Sequence, residues 1–441
     1  MGDYYWNSFM TIAAAASTNA FQGLFRKRDT AAVYPCTISL QRCKVGARKP
    51  ETPTFMTVAP SLREMFPRDQ RERQCANTLN SRGWTLQEQI LSRRLLLFGQ
   101  IQVSFACSNM LASENTPCGE PRRAGDFAMR GGQSDLPYLQ GVIRSAKVHS
   151  GSMLPTPECF HYDAWNAMLV EYSKRKLTKQ EDLFPALSGL ARRFYELMLD
   201  RDDVYLAGIW KSDLKRSLLW MSPPDGPPGG PPDGSHCGVA TRRHDAYTAP
   251  TWSPLSVEIT GKTHVVLDEM IIREDGELAV NSGLFVVLSA STTPKGSNPF
   301  GEVAAGELKA RCRMKTVRLG FNSKGFPFIF DIDVKENFAP VREDVSEELD
   351  PFRSGEREVA NPTWEEEINF DPGAPSLYCV PVILEERSTT TAGLTEFMYI
   401  GLVLVVGESG EGVVYRRVGL SHIPKDFDWF ESCPESEITI W

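Results

Sequence analysis

Thirteen residues in the middle of the chain constrain it most. Ser222–Gly234 reads SPPDGPPGGPPDG, six prolines and four glycines. Proline removes a backbone donor and glycine adds conformational freedom, so the run forms neither helix nor sheet and reads as a flexible or polyproline-like loop. It lacks a Pro-x-x-Pro with a well-placed basic flank, which argues against an SH3 ligand. The sequence differs in kind on its two sides.

Beyond Pro250, short apolar runs alternate with turn residues at irregular spacing, at 257–259, 264–272, 283–289, 315–320, 326–334, 378–384, 397–406, 412–419 and 437–441. That pattern predicts an antiparallel sandwich or a barrel-like sheet. Before the run, helical spacing appears. Trp165, Met168, Leu169 and Tyr172 fall at i, i+3, i+4 and i+7, one helix face. Thr178 and Glu181 have capping-box spacing for a second helix through Leu187, Leu190 and Phe194, or that helix starts later with Pro185 in its first turn. Residues 209–220 read as a third helix. Nearer the start, Asn80 or Ser81 can cap a helix over 84–92, and strands are predicted at 94–98 and 101–106. There Ile101, Val103 and Phe105 alternate with Gln102, Ser104 and Ala106, which predicts that the apolar three face the core. Residues 9–23 read as a short strand and a turn, or as a helix, and Cys36, Ile38 and Leu40 as a strand.

At about 100–200 residues per domain, 441 residues predict two or three domains. The net charge of −8 is unevenly spread: residues 331–441 hold 24 acidic against 8 basic side chains, and the remainder is net basic. Such a split argues against a dedicated nucleic-acid binder. Ten cysteines without a C-x-x-C pair read as reduced thiols of a cytoplasmic protein, with no metal site; His236, Cys237 and His244 lack a second ligand pair. The longest apolar run, Phe397–Val406, is half of the roughly 20 residues that span a bilayer, so no membrane span is expected. Phe21, Phe25 and Arg26–Arg28 form a small basic-aromatic patch, read as a solvated face. Dinucleotide fingerprint, P-loop and nucleophile elbow are all missing from the sequence.

One stretch points to chemistry: Ser81-Arg-Gly-Trp-Thr-Leu-Gln-Glu88. On a helix Trp84 and Glu88 share a face at i and i+4, which sets a carboxylate beside an aromatic wall. RGWTLQE followed by SRRLLLFGQIQVSFAC resembles the third block of the fungal heterokaryon incompatibility (HET) domain. Tyr5–Ala14 is similar to that family's Y-x-N-A/S-x-x-T-I-A-A strand. Tyr172–Ala191, Tyr205–Trp220 and Ala249–Ser256 resemble segments that follow the domain in such proteins. Together they cover about a third of the chain, in the family's order. The family's Y-x-W-G and W-I-D-x-L-C-I-x-Q blocks do not precede the T-I-A-A strand here, so the resemblance implies an N-terminally truncated module.

The resemblance implies an α+β multidomain protein. Residues 1–111 form a partial HET-like α/β module of the Toll/interleukin-receptor (TIR) type and 112–155 an irregular connector. A helical region over 156–221 and a Pro/Gly-rich loop over 222–248 follow. Residues 249–441 form a β-rich domain with an acidic insertion at 342–367. The implied function is self/non-self recognition in programmed cell death through protein partners, non-catalytic in the truncated form and without a cofactor. The alternative it implies is a TIR-like effector that cleaves NAD as substrate, with Glu88 stabilising the oxocarbenium-like transition state and Trp84 walling the pocket. A purely structural role, Trp84 packed under the sheet and Glu88 bonded locally, stands beside both.

Overall fold

The computed structural model describes residues 1–25, 27, 36–40, 54–58, 78–100, 102–107, 110–114, 116–121, 139–140, 143, 157–197, 203–221, 241–259, 266–267, 283–321, 327–331, 338–343, 376–388, 395–407 and 412–441. The fold is mixed α+β, with strands in the majority. Two compact units divide the chain, one of residues 1–148 with 175–178, the other of 149–174 with 179–441. The Pro/Gly run past Met221, the acidic insertion past Glu343, and the basic residues Arg26 and Arg28 lie outside the described residues.

The first unit holds helix α1 (Gly2–Asn7), strand β1 (Thr11–Ala13), the hairpin strands β2 (Cys36–Leu40) and β3 (Thr54–Val58), helix α2 (Trp84–Leu91), and strands β4 (Arg94–Phe98), β5 (Val103–Cys107), β6 (Met110–Ser113) and β7 (Thr116–Pro121). One sheet runs in the order β1-β4-β5-β6-β7. Only β1 and β4 are parallel, a crossover that returns through α2; the remaining pairs are antiparallel. Ala13, Ala15, Leu95, Leu97 and Ala106 form the buried cluster.

Two expectations fail in this sheet. The region taken as an irregular connector begins within the β6–β7 hairpin, where Gly119 inside β7 has φ 71 and an added Cβ would lie 2.5 Å from Met110 Sδ. The other failure concerns β5, which is inverted. Gln102, Ser104 and Ala106 are buried, whereas Val103 and Phe105 are half-buried. The register explains it: Ala106 lies opposite Leu95 and Ser104 opposite Leu97, so the small residues share the core face with the leucines of β4. Alternation gives the period of a strand, and pairing chooses the face.

The second unit begins with two helices, α3 (Pro157–Ser173) and α4 (Pro185–Leu197). Pro185 stands first in α4, where its missing N–H leaves no bond unmade. Trp165, Met168, Leu169 and Tyr172 are buried as their spacing predicts. The third helix expected over 209–220 is mostly absent. Strands β8 (Tyr205–Leu206) and β9 (Ile209–Trp210) form a tight hairpin, and a single turn, α5 (Leu214–Ser217), follows. Ala207 at φ 48 and Gly208 at φ 103 reverse the chain, which a helix cannot accommodate.

Strands β10 (Trp220–Met221), β11 (Thr241–Arg243), β12 (Val257–Ile259) and β13 (Val266–Leu267) form two small ribbons, β10 with β13 and β11 with β12. The large sheet comprises β14 (Phe285–Pro294), β15 (Val303–Arg313), β16 (Lys315–Phe321), β17 (Pro327–Asp331), β18 (Phe338–Glu343), β19 (Leu377–Ser388), β20 (Thr395–Gly407), β21 (Val414–Pro424) and β22 (Glu435–Ile440). Antiparallel pairings pass from β16 through β17, β18, β21, β20 and β19 back to β16, and β22, β15 and β14 extend the sheet outward from β21. Val317, Leu319, Ile329, Leu377, Val403, Val418, Trp429 and Phe430 belong to its core. Strand β15 lies outside the runs expected from sequence, and Glu307, Lys309 and Arg311 interrupt its apolar residues. Leu308, Ala310 and Cys312 nonetheless alternate inward.

Arg417 of β21 is fully buried. Its guanidinium donates to the carbonyls of Leu218 and Trp220, and lies 3.9 Å from the Trp220 ring centroid. Nearby, Trp220 Nε1 donates to Trp252 O at 3.0 Å. His244 contacts Leu255 O through Nε2 at 3.2 Å, and burial pushes its pKa below the ordinary 6.5. Stability is therefore expected to fall as the pH drops below 6.5, because the unfolded chain takes up the proton first; the slope reaches at most about 1.4 kcal/mol per pH unit. Urea midpoints between pH 7 and 5, compared with those of His244→Gln, check this: the variant should show the flatter dependence.

Candidate functional site

Helix α2 continues from the 3-10 turn Thr78–Ser81. Neither Asn80 nor Ser81 caps it. Gly83, at the cap position, has helical dihedrals, and no side chain bonds there. Thr85 Oγ1 reaches back instead to Leu79 O at 2.5 Å and Arg82 O at 2.7 Å, and Asn80 Oδ1 accepts from Gln89 Nε2 at 3.0 Å. Gly83 is required by close approach: a Cβ there would sit 2.4 Å from Leu177 Cδ2.

The helix is polar inside. Arg175 donates through Nη1 to Thr85 Oγ1 at 2.9 Å and through Nη2 to Gln89 Oε1 at 3.2 Å, and all three residues are buried. Main-chain bonds fasten the same segment, Gly83 N to Lys176 O at 2.8 Å and Lys176 N to Ser81 O at 2.7 Å. Two stretches about ninety residues apart thus meet through a buried guanidinium and a short parallel bridge. Gln87 and Gln102 are also buried, and their amides have no hydrogen-bond partner among the described residues.

Trp84 and Glu88 are the only two residues of α2 that are not buried. The i and i+4 spacing makes them its single outward stripe, half-buried rather than open. The Tyr5 hydroxyl of α1 bonds the Glu88 carboxylate; burial first, and then that carboxylate, push the Tyr5 phenol above its ordinary pKa. Below Glu88, its carbonyl accepts from Ser92 Oγ at 2.5 Å, and Ser92 Oγ lies 2.6 Å from Thr11 Oγ1 of β1. The structure therefore brings Trp84 and Glu88 together as the sequence predicts, and adds Tyr5. Tyr5 opens the stretch that resembles the family's T-I-A-A strand, and nothing in its local pattern announced the contact.

A second polar cluster belongs to the other unit. Arg216 donates through Nε to Asp213 at 2.7 Å and through Nη1 to Asp163. Asn166 Nδ2 and Ser217 Oγ also donate to Asp213, at 3.1 and 2.8 Å. Burial pushes both carboxyls above their ordinary range, against the pull of Arg216. Every Asp213 oxygen is occupied, and the cluster ties α3 to α5. Burial pushes the Cys312 thiol up to about 12 and Cys379 higher still, which disfavours their thiolate forms.

No protein-family model, curated protein or solved structure matches this chain.

Proposed function

We propose that the chain is a heterokaryon-incompatibility-type self/non-self recognition protein with a TIR-like first unit, acting through protein contacts rather than catalysis. One observation carries this reading: the separate stretches that resemble the family are bound to one another. Tyr5 meets Glu88, Thr11 meets Ser92, and Arg175 joins Thr85 to Gln89. Thr85, Glu88, Gln89 and Ser92 thereby help to hold the unit together. The Trp84–Glu88 stripe is the half-buried side of α2, and a tryptophan beside a carboxylate that also meets Tyr5 suits a protein partner.

Expression of the full chain in a filamentous fungus, followed by fusion with a panel of isolates, tests the reading. Loss of viability in at least one pairing is expected, and Trp84→Ala combined with Glu88→Ala should restore survival at unchanged protein level. Normal growth in every fusion would overturn it.

The NAD-cleaving alternative draws its support from the same stripe, since Trp84 and Glu88 are the two residues of α2 that are not buried. Purified protein incubated with NAD should then release nicotinamide, with Glu88→Gln slowing release about 100-fold or more. Release that is undetectable, or indifferent to that substitution, ends this alternative and leaves the recognition reading standing.

A further inference from the structure

The first unit has a second feature that the recognition reading does not use. Of the fifteen large apolar side chains exposed among the described residues, seven fall within residues 1–25. Several are almost wholly in solvent: Phe21 is 99% exposed, Phe25 84%, Tyr4 81% and Phe9 76%. Single exposed apolar residues need no explanation, but such a concentration marks a surface that meets something else.

The sheet organises part of this surface. Ile12 of β1 lies opposite Leu96 of β4, which lies opposite Phe105 of β5, so the three share the face turned away from the buried cluster. Phe9 sits under the Arg94 guanidinium, 4.6 Å from it, and Phe25 meets Phe98 edge-on with centroids 5.7 Å apart. Arg94, Leu96 and Phe98 alternate onto that same face. The inversion of β5 completes it: the small side chains went to the core, and the large apolar ones stayed outside.

Charge selects the occupant. Residues 1–111 carry 14 Lys and Arg against 7 Asp and Glu, although the whole chain is net acidic. Arg26-Lys27-Arg28 directly follow the exposed Phe25. A second copy docked through the same face about a two-fold axis would set the exposed Lys27 and the half-buried Arg94 close to their own counterparts, which costs free energy. Protruding aromatic side chains flanked by basic ones suit the headgroup layer of an anionic bilayer, where the rings enter the interface and the cations meet lipid phosphate and carboxylate. Among the described residues no helix is long and apolar enough to cross a membrane, so the attachment is peripheral. We propose that the face bearing Phe9, Ile12, Phe25, Arg94 and Phe98, with the neighbouring Phe21, docks the protein on an anionic lipid surface.

Flotation of the full-length chain with large unilamellar vesicles tests this, comparing phosphatidylcholine alone with phosphatidylcholine containing about 30% phosphatidylserine. Partitioning onto the anionic vesicles should be at least about tenfold greater and should fall with added salt. Phe21→Ser together with Phe25→Ser should lower it about tenfold or more, and Lys27→Glu about fivefold or more. These three side chains are exposed, so the variants should retain the circular dichroism of the parent. Equal binding to neutral vesicles, or no binding to either, would overturn the proposal. So would a dimer in light scattering that the same substitutions dissolve, since the face would then be a protein interface.

Discussion

Arg417→Ala should destabilise the strand-rich unit by about 3–5 kcal/mol. The guanidinium is fully buried, and its two ends satisfy the Leu218 and Trp220 carbonyls while its plane covers the Trp220 indole. Alanine would strand both acceptors away from water and leave a cavity against the tryptophan. Each of those effects costs about 1–3 kcal/mol. Arg417→Met separates them, because it keeps the stem and fills much of the volume but donates nothing; about half of the loss should return. Trp165, Trp210, Trp220, Trp252 and Trp429 are all buried in this unit, so the urea transition followed by tryptophan emission reports it. A shift of less than about 1 kcal/mol for alanine would mean that water enters and satisfies the carbonyls.

A comparable loss, about 2–4 kcal/mol, is expected for Gly208→Ala. Gly208 turns the β8–β9 hairpin at φ 103, where a side chain is strained, and an added Cβ would lie 2.7 Å from Leu255 Cδ1. The turn is held from two other directions, since Trp165 Nε1 donates to Gly208 O at 2.8 Å and Ser253 Oγ to Ala207 O at 2.6 Å. A displaced turn would release both bonds and loosen the rings around Trp210, including Phe194 and Tyr205. The readout is the same urea transition, together with the near-ultraviolet circular dichroism of the packed tryptophans. An unchanged near-ultraviolet spectrum at wild-type stability would show that Leu255 yields without cost.

The two substitutions differ in how far sequence could have pointed to them. Gly208 lies in Tyr-Leu-Ala-Gly-Ile-Trp, where Ala-Gly between apolar pairs is a weak hairpin signal and Tyr205, Leu206, Ile209 and Trp210 also fit the spacing of a helical stripe. Arg417 follows Arg416 in an ordinary strand, and its burial depends on residues almost 200 positions earlier. Glu88 stands between these cases. Its place beside Trp84 on one helical stripe was legible from i, i+4 spacing, whereas its bond to Tyr5 required the crossover that pairs β1 with β4.

Local spacing by itself determined what one element can settle alone: the face of α3 that carries Trp165 and Tyr172 and the run of β4 from Arg94 to Phe98, while a first-turn place for Pro185 in α4 was one of the two starts it left open. It also placed Trp84 and Glu88 on one side of α2. These follow from the helical and strand periods and from the geometry of the proline ring. Tertiary structure alone decided the inversion of β5, the hairpin where a third helix was expected, the strand character of β15 and the burial of Arg417. In each case the deciding energy comes from pairing or burial between segments far apart in sequence. A periodic pattern offers two faces, and only the partner strand or helix, through register and volume, selects which one water loses.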